Sequence, residues 1–229
     1  RHRGRCMGAV VWQLNDIWPV ASWASIDYYG RWKALHYAER RMFAPVMISC
    51  EETGELTERP FCIQERIKPI EKAIRLHVAN ETREVQTGTV YWELRSPDAR
   101  IIDQGSQKVT APAFNGVWLD KIVFAQADEL QNYVSYRFEQ DGEVISQGTV
   151  LFTAPKHFKF EDPGLSFRVS GREITVAAAG YAKSVEIVPK NGDARFSDNF
   201  FDLNGDSRTV TVSEGDATEF AVRSVYDMA

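Results

Sequence analysis

The chain has 229 residues and 44% hydrophobic content, which is sufficient for more than one globular unit. Its net charge of -5 and pI near 5.5, with no basic stripe, argue against a nucleic-acid partner or an anionic membrane surface. No apolar run reaches the roughly 18 residues that a membrane-spanning helix needs. We interpret the small basic cluster at residues 1–5 as solvated surface.

The cysteines and histidines indicate neither a disulfide framework nor a metal site. They lie far apart and form no CxxC, HxH or HExxH spacing: Cys6, Cys50, Cys62, His2, His36, His77 and His157. Free buried thiols, no metal and no cofactor are therefore expected. The chain begins with Arg1 and shows no signal peptide, which suggests a fragment of a longer protein. Its compartment, cytoplasmic or periplasmic if bacterial, is left open.

The first zone, residues 1–45, is typical of one β–loop–α unit. Met7–Trp12 is a short apolar run that predicts a fully buried strand, as in a parallel sheet. Asn15-Asp16 and Trp18-Pro19 then predict a loop. A single unit of this kind cannot bury both of its faces, so it is expected to belong to a parallel sheet or an α/β barrel.

Apolar residues then recur at helical spacing up to Ala44-Pro45, which is expected to end the helix. The predicted apolar face consists of Tyr28, Trp32, Leu35, Ala38 and Met42. The residues predicted to point elsewhere are Lys33, Tyr37, Arg40 and Arg41. Arg40 and Arg41 fall in the last turn, where the helix dipole favours cations.

Residues 46–156 and 157–229 predict two β domains. In the first, alternating apolar residues mark three strands: Ile74, Leu76, Val78; Val90, Trp92, Leu94; and Val134, Tyr136, Phe138. Asp141-Gly142 predicts a hairpin. In the second, Leu165, Phe167, Val169 and then Ile174, Val176, Ala178 alternate on either side of Gly171. Both domains are expected to be immunoglobulin-like β-sandwiches, the second a small one.

Four of the six tryptophans lie between Gly8 and Tyr37, interleaved with amide and carboxylate side chains. Rings that pack against a sugar face, beside groups that pair with its hydroxyls, are typical of a carbohydrate site. Trp12 is interpreted either as a sugar platform or as a core residue, and Asn15 and Asp16 as substrate contacts or as turn residues. Trp18 and Trp23 lie in the following loop and either line a cleft or pack under the barrel rim.

Other candidates are weaker. Trp32 is predicted to be structural, and Trp92 and Trp118 to be sandwich residues. The acidic residues around Gly54 are interpreted as a solvated loop: Glu51, Glu52, Glu55 and Glu58. The chain therefore offers no persuasive pair of catalytic carboxylates.

Three segments resemble β-mannosidases of glycoside hydrolase family 2. Val11–Tyr37 is similar to the end of the family's catalytic domain, and Ala154–Phe158 to the junction between its last two domains. Phe196–Leu203 resembles a signature of its C-terminal domain. The resemblance implies a mainly β chain, in which the last β–α unit of a (β/α)8 barrel precedes two immunoglobulin-like domains.

The resemblance also implies a function for the parent protein. The family is retaining and hydrolyses terminal β-D-mannose from mannosides, with two catalytic glutamates that would precede Arg1. Trp12 then falls at the tryptophan of the terminal mannose subsite, with Asn15, Asp16 and Trp18 as rim or supporting residues. Its expected partners are a β-mannoside and the rest of the barrel, while the fragment itself is expected to be inactive.

Two alternatives stay open. Other family 2 enzymes share the strand-end tryptophan, so an exo-glucosaminidase-like or galactosidase-like specificity is not excluded. Alternatively, the β domains form a carbohydrate-binding or interaction module, for which coplanar exposed aromatic rings would be the structural sign.

Overall fold

The computed structural model describes residues 8–51 and 71–228. They divide into two compact units, one comprising the described part of Ala44–Phe160 and the other the described parts of Met7–Phe43 and Glu161–Ala229. Several predictions fall outside the described residues and stay predictions, namely those on residues 1–7, Glu52, Glu55, Glu58 and Cys62.

The first unit is a β-sandwich. Its strands are β1 (Val46–Glu51), β2 (Ala73–Asn80), β3 (Gln86–Arg95), β4 (Ile101–Ala111), β5 (Asn115–Trp118), β6 (Ile122–Val123), β7 (Tyr133–Gln140) and β8 (Glu143–Leu151). One sheet has the order β4-β3-β7-β8, and the other has β1-β2-β5 with β6 also paired to β2. All of these pairs are antiparallel. A short 3-10 turn, Pro155–His157, follows β8.

The predicted alternation of this sandwich is confirmed. Leu76, Val90 and Phe138 are fully buried in one core that both sheets share. Asp141-Gly142 joins β7 to β8 with positive φ at both residues, as the hairpin prediction requires. Cys50 is buried, as expected, and its Sγ donates to the Glu51 carbonyl at 3.5 Å.

The second unit carries seven further strands and the one α-helix of the described residues. The strands are β9 (Ser166–Ser170), β10 (Glu173–Ala177), β11 (Tyr181–Pro189), β12 (Ala194–Phe196), β13 (Phe201–Asn204), β14 (Ser207–Gly215) and β15 (Phe220–Arg223). They form two sheets, β12-β14-β10-β9 and β13-β11-β15, around a second core. The helix, α1, is Ala34–Met42, and a 3-10 turn follows at Val225–Met228.

Strand β9 departs from its prediction. Ile174 and Val176 of β10 are fully buried as expected, but Phe167 and Val169 are each 41% exposed. The reason is that β9 is an edge strand that pairs only with β10. Its side chains therefore lie at the margin of the sheet, outside the core.

The prediction of a buried strand at Met7–Trp12 is wrong for its described part. Gly8–Trp12 forms no strand, and Val10 is 98% exposed. A strand of a parallel sheet needs hydrogen-bonded neighbours and apolar layers on both faces. Within the described residues no parallel strand lies beside this segment, so its apolar pattern has nothing to pair with.

The helix forms and ends where predicted, but it buries a different face. It begins only at Ala34, because Asp27 first closes a turn by accepting the backbone N–H groups of Tyr29 and Arg31. The predicted apolar residues Leu35 and Met42 are 38% and 52% exposed.

Tyr37, predicted to point away, is instead 2% exposed. Its ring lies near those of Trp32 and Phe200, and its hydroxyl accepts the Phe196 N–H at 3.2 Å. The buried face of α1 is therefore set by the β domain that follows residue 160.

Candidate functional site

The candidate site is the loop between Trp12 and Lys33, and backbone hydrogen bonds fix its path. Ser25 N–H donates to the Gln13 carbonyl at 3.2 Å, and Ile26 N–H to the Leu14 carbonyl at 2.8 Å. Asp16 N–H in turn donates to the Ile26 carbonyl at 3.1 Å. The two ends of the loop thus run side by side, which orders the segment that carries the tryptophans.

Asp16 is the buried centre of this loop. Its carboxylate accepts hydrogen bonds from the Ser22 hydroxyl and from Lys33 Nζ, the latter at 2.9 Å. These bonds, that of Ser22 first, hold the pKa of the Asp16 carboxyl below its usual value, against the opposing effect of burial. Asp16 consequently braces the loop as an anion.

The amide side chains lie nearer the surface. Asn15 is exposed, and its Nδ2 donates to the Asp16 carbonyl at 3.1 Å. Gln13 Nε2 donates to the Asn15 carbonyl, also at 3.1 Å. Both amides therefore support the turn and remain accessible to solvent.

Three tryptophans of the loop present their rings to solvent. Trp12 is 74% exposed, Trp18 64% and Trp23 68%. The interpretation of Trp12 as a core residue is thus wrong for this structure. Trp23 is as exposed as Trp18, and its neighbours Ala24 and Ser25 are the buried residues, a contrast that the sequence pattern does not reveal. The peptide bond that follows Trp12 is cis.

Trp32 is structural, as predicted. It is half-buried, with its ring centroid 4.5 Å from that of His36 and 5.4 Å from that of Tyr37. The guanidinium of Arg195 lies over the ring at 5.0 Å. These contacts leave little of the ring free for a ligand.

The sandwich tryptophans do not form an open platform. Trp92 packs against the core, with its ring over Gly105. Trp118 lies under the guanidinium of Arg75 at 4.6 Å and beside the ring of His77 at 4.6 Å. Neither ring matches the exposed aromatic face that a sugar-binding module needs.

The outer face of β3 and β7 carries a charge network in place of aromatic rings. Glu93 accepts hydrogen bonds from Arg95 Nε at 3.0 Å, from Ser135 Oγ at 3.1 Å and from Arg137 Nη1 at 3.1 Å. Burial raises the pKa of the Glu93 carboxyl, but hydrogen bonds and charges from the two arginines lower it by more, so the pKa lies below its usual value. The Arg137 guanidinium also covers the ring of Tyr91, at 4.5 Å.

Two further findings concern the described residues alone. They contain no group of three or more histidine, cysteine, aspartate or glutamate side chains that could hold a metal ion. Their helix is too short to cross a membrane.

Both β domains match known domain families. Residues 72–157 match the family described as a Mannosidase Ig/CBM-like domain, and residues 160–228 match an Ig-fold domain of the mannosidase type. The chain therefore carries two immunoglobulin-like domains of the kind found in mannosidases.

Related sequences and structures agree with this class. Beta-mannosidase of Mus musculus is 55% identical over 53 residues, which are 23% of this chain and 6% of the mouse protein. Beta-mannosidase B of Aspergillus niger is 25% identical over 219 residues, covering 91% of this chain and 25% of that protein. The β-D-mannosidase of Dictyoglomus thermophilum superposes with a TM-score of 0.71 at 16% identity, over 93% of this chain and 25% of that one, which shows a shared fold.

The chain thus spans a quarter or less of the length of these relatives. It belongs with the C-terminal portion of the glycoside hydrolase family 2 β-mannosidases.

Proposed function

We propose that this chain is the C-terminal part of a retaining, exo-acting β-mannosidase that removes terminal β-D-mannose from mannosides. The observation that carries the proposal is an ordered loop bearing exposed tryptophans, attached to β domains of the mannosidase type. The preceding part of the parent enzyme supplies the two catalytic glutamates and the rest of the barrel.

In this proposal residues 1–45 are the last β–α unit of the catalytic (β/α)8 barrel, with 46–156 and 157–229 as the two β domains. The exposed apolar side chains of the first segment support it. Val10, Leu35 and Met42 are 98%, 38% and 52% exposed, although apolar residues at this density normally face a core. Packing against neighbouring barrel strands and helices would cover them.

Trp12 is the proposed wall of the subsite for the terminal mannose. Its indole is exposed and available to pack on the C–H face of a pyranose, and the hydrogen-bonded loop begins at the next residue, Gln13. Asn15 and Trp18 lie at the rim. Asp16 supports the loop, because its carboxylate is already used by Ser22 and Lys33.

The bond-breaking chemistry is assigned to residues outside this chain. Retaining hydrolysis needs an acid/base and a nucleophilic carboxylate about 5–5.5 Å apart across the scissile bond. Asp16 and Glu93, two well-covered carboxylates of the described residues, are each held by cationic partners. The isolated chain is therefore expected to give no turnover of an aryl β-mannoside, and turnover above a blank would contradict this assignment.

In the intact enzyme, Trp12→Ala should lower kcat/KM by about 30- to 160-fold, since a buried aromatic contact is worth about 2–3 kcal/mol. Phe167→Ala is the matched control, because it removes an exposed aromatic ring from the β domain far along the chain. Near-parental kinetics of Trp12→Ala would remove this residue from the subsite. If the parent enzyme hydrolyses aryl β-glucosaminides or β-galactosides faster than aryl β-mannosides, the proposed mannoside specificity is wrong.

Calorimetric titration of the isolated chain with mannan oligosaccharides separates a scaffold from a binding module. We expect no heat at millimolar ligand, because Trp92 and Trp118 are covered and Tyr91 lies beneath Arg137. Saturable heat that survives Trp12→Ala would favour the module.

A further inference from the structure

The last turn of α1 is held in a pocket of backbone and side-chain acceptors. Arg41 Nη1 donates to Asp198 Oδ1 at 2.6 Å and to the Asn199 carbonyl at 3.1 Å, and Arg41 Nη2 donates to the Phe200 carbonyl at 3.0 Å. Arg40 also donates to the Ser197 carbonyl. The planar guanidinium suits several fixed acceptors at once, which an ammonium does not.

The pocket belongs to segment 197–200, which joins β12 to β13, and the β domain fixes that segment firmly. Asn199 is 4% exposed, and its side chain pairs with both the N–H and the carbonyl of Ile187, at 2.8 and 3.0 Å. Arg208 of β14 donates to the second Asp198 oxygen at 2.8 Å. Phe200 holds a φ of 54°, a conformation that a bulky residue keeps only when its surroundings impose it. The acceptors are therefore preorganised.

The first turn of the same helix contacts the tryptophan loop. Lys33, the residue before α1, donates its N–H to the Ser25 carbonyl at 2.9 Å and its ammonium to Asp16 at 2.9 Å. His36 Nδ1 lies 3.1 Å from Ser25 Oγ. The nine-residue helix thus links segment 197–200 at one end to the loop that carries Trp12 at the other.

We propose that Arg41 and Asp198 are positioning residues that hold the Trp12-bearing loop in register through α1; the enzymatic consequence of this rests on the function proposed above. The acceptors of segment 197–200 are directed at a helix that lies about 160 positions earlier in the chain. This assigns a physical role to the Phe196–Leu203 signature, which grips the helix of the site-bearing segment.

Hydrogen–deuterium exchange of the isolated chain tests the proposal without any activity measurement. In Arg41→Gln, the loop amides of Asp16, Ile26 and Lys33 should exchange about tenfold faster or more, because charged hydrogen bonds anchoring the helix are lost. Arg41→Lys, which keeps the positive charge but not the planar guanidinium, should give an intermediate increase in the exchange rate of these amides. Asp198→Asn should act in the same direction.

Arg223→Gln is the matched control. It removes another arginine ion pair of the same unit, with Glu186 at 2.5 Å, away from α1. Amides of β10 and β14 report whether each variant keeps its fold. Loop exchange within twofold of the parental chain, in an Arg41→Gln variant whose β10 amides stay protected, would overturn the proposal.

Kinetics of the intact enzyme form the second arm. Arg41→Gln should lower kcat/KM for the mannoside and Arg41→Lys should recover part of it. Because the exchange result does not depend on catalysis, an enzyme of another specificity would contradict the proposed function and leave the positioning proposal intact.

Discussion

Asn80 offers the sharpest test of how the first sandwich is held together. It ends β2, is fully buried, and places its Nδ2 within hydrogen-bonding distance of three carbonyls, those of Glu84 at 2.7 Å, Pro112 at 3.0 Å and Ala111 at 3.1 Å. Its Oδ1 accepts the Thr82 N–H at 2.9 Å. One side chain thus fastens the β2–β3 connection to the end of β4.

Asn80→Asp retains the shape and the acceptor but removes the donor. The Nδ2 group has two hydrogens, so two hydrogen bonds are lost at about 1–1.5 kcal/mol each, although Thr82 Oγ1 still donates to the Glu84 carbonyl and the Asn115 N–H to that of Pro112. The new oxygen also faces those carbonyls, which adds to the cost. We expect the free energy of unfolding of this unit to fall by about 4 kcal/mol. Thr82→Val, which removes only the Thr82 hydroxyl hydrogen bonds, should cost about 1 kcal/mol.

The assay must report each unit separately, since a chain of two compact units does not guarantee a two-state transition. Urea unfolding followed through amide exchange in β3 and β7 reports the first unit, and exchange in β10 and β14 reports the second. A loss below about 1 kcal/mol for Asn80→Asp, or one equal to that of Thr82→Val, would refute the reasoning.

Three further changes are predicted. The pKa of Glu93 is lowered on folding, so its ion pairs stabilise the fold at pH values above the ordinary carboxyl pKa. This stabilisation is lost as the pH falls through the lowered pKa. The stability of Glu93→Gln, measured by acid unfolding, should not show this pH-dependent loss. Tyr37→Phe leaves the Phe196 N–H without its acceptor and should cost about 1–3 kcal/mol in urea unfolding of the second unit. Gly105→Ala puts a Cβ 2.3 Å from the Trp92 ring and should destabilise the first unit by about 2 kcal/mol, measured the same way.

The β strands of the first sandwich could be predicted from the sequence because their signals are local. Alternation fixes which side chains share a face, and Asp141-Gly142 tolerates the positive φ that a tight hairpin needs. Val134 and Phe138 are fully buried for this reason. Phe167 and Val169 alternate equally well and still lie exposed, because an edge position is a property of the whole sheet.

The structure of the first segment could not be predicted from the sequence, because it depends on partners outside the segment. The apolar pattern of Gly8–Trp12 is suited to a strand, yet a strand forms only beside a partner strand. The buried face of α1 was likewise unpredictable, because Tyr37 is buried by residues about 160 positions along the chain. Periodicity identifies apolar residues, but it does not say which of two possible surfaces will cover them.

The composition of the tryptophan loop predicts a sugar site, but it does not tell which of the loop's polar and aromatic side chains are free to contact a ligand. Asp16 and Asn15 are adjacent polar residues, and only the structure distinguishes the carboxylate occupied by Ser22 and Lys33 from the exposed amide. The same holds for Trp32 and Trp12, one half-buried beneath Arg195 and the other open to solvent.

Helix α1 joins these observations. A helix of nine residues is too short to be stable alone, so its position must come from what it contacts. One face contacts the β domain through Tyr37 and Arg41, and the other exposes Leu35 and Met42. A helix with one face bound to the β domain and an exposed apolar face opposite is suited to pack against a second partner as well. The C-terminal β domain therefore acts on the tryptophan loop at a distance, by fixing the helix from which that loop is held.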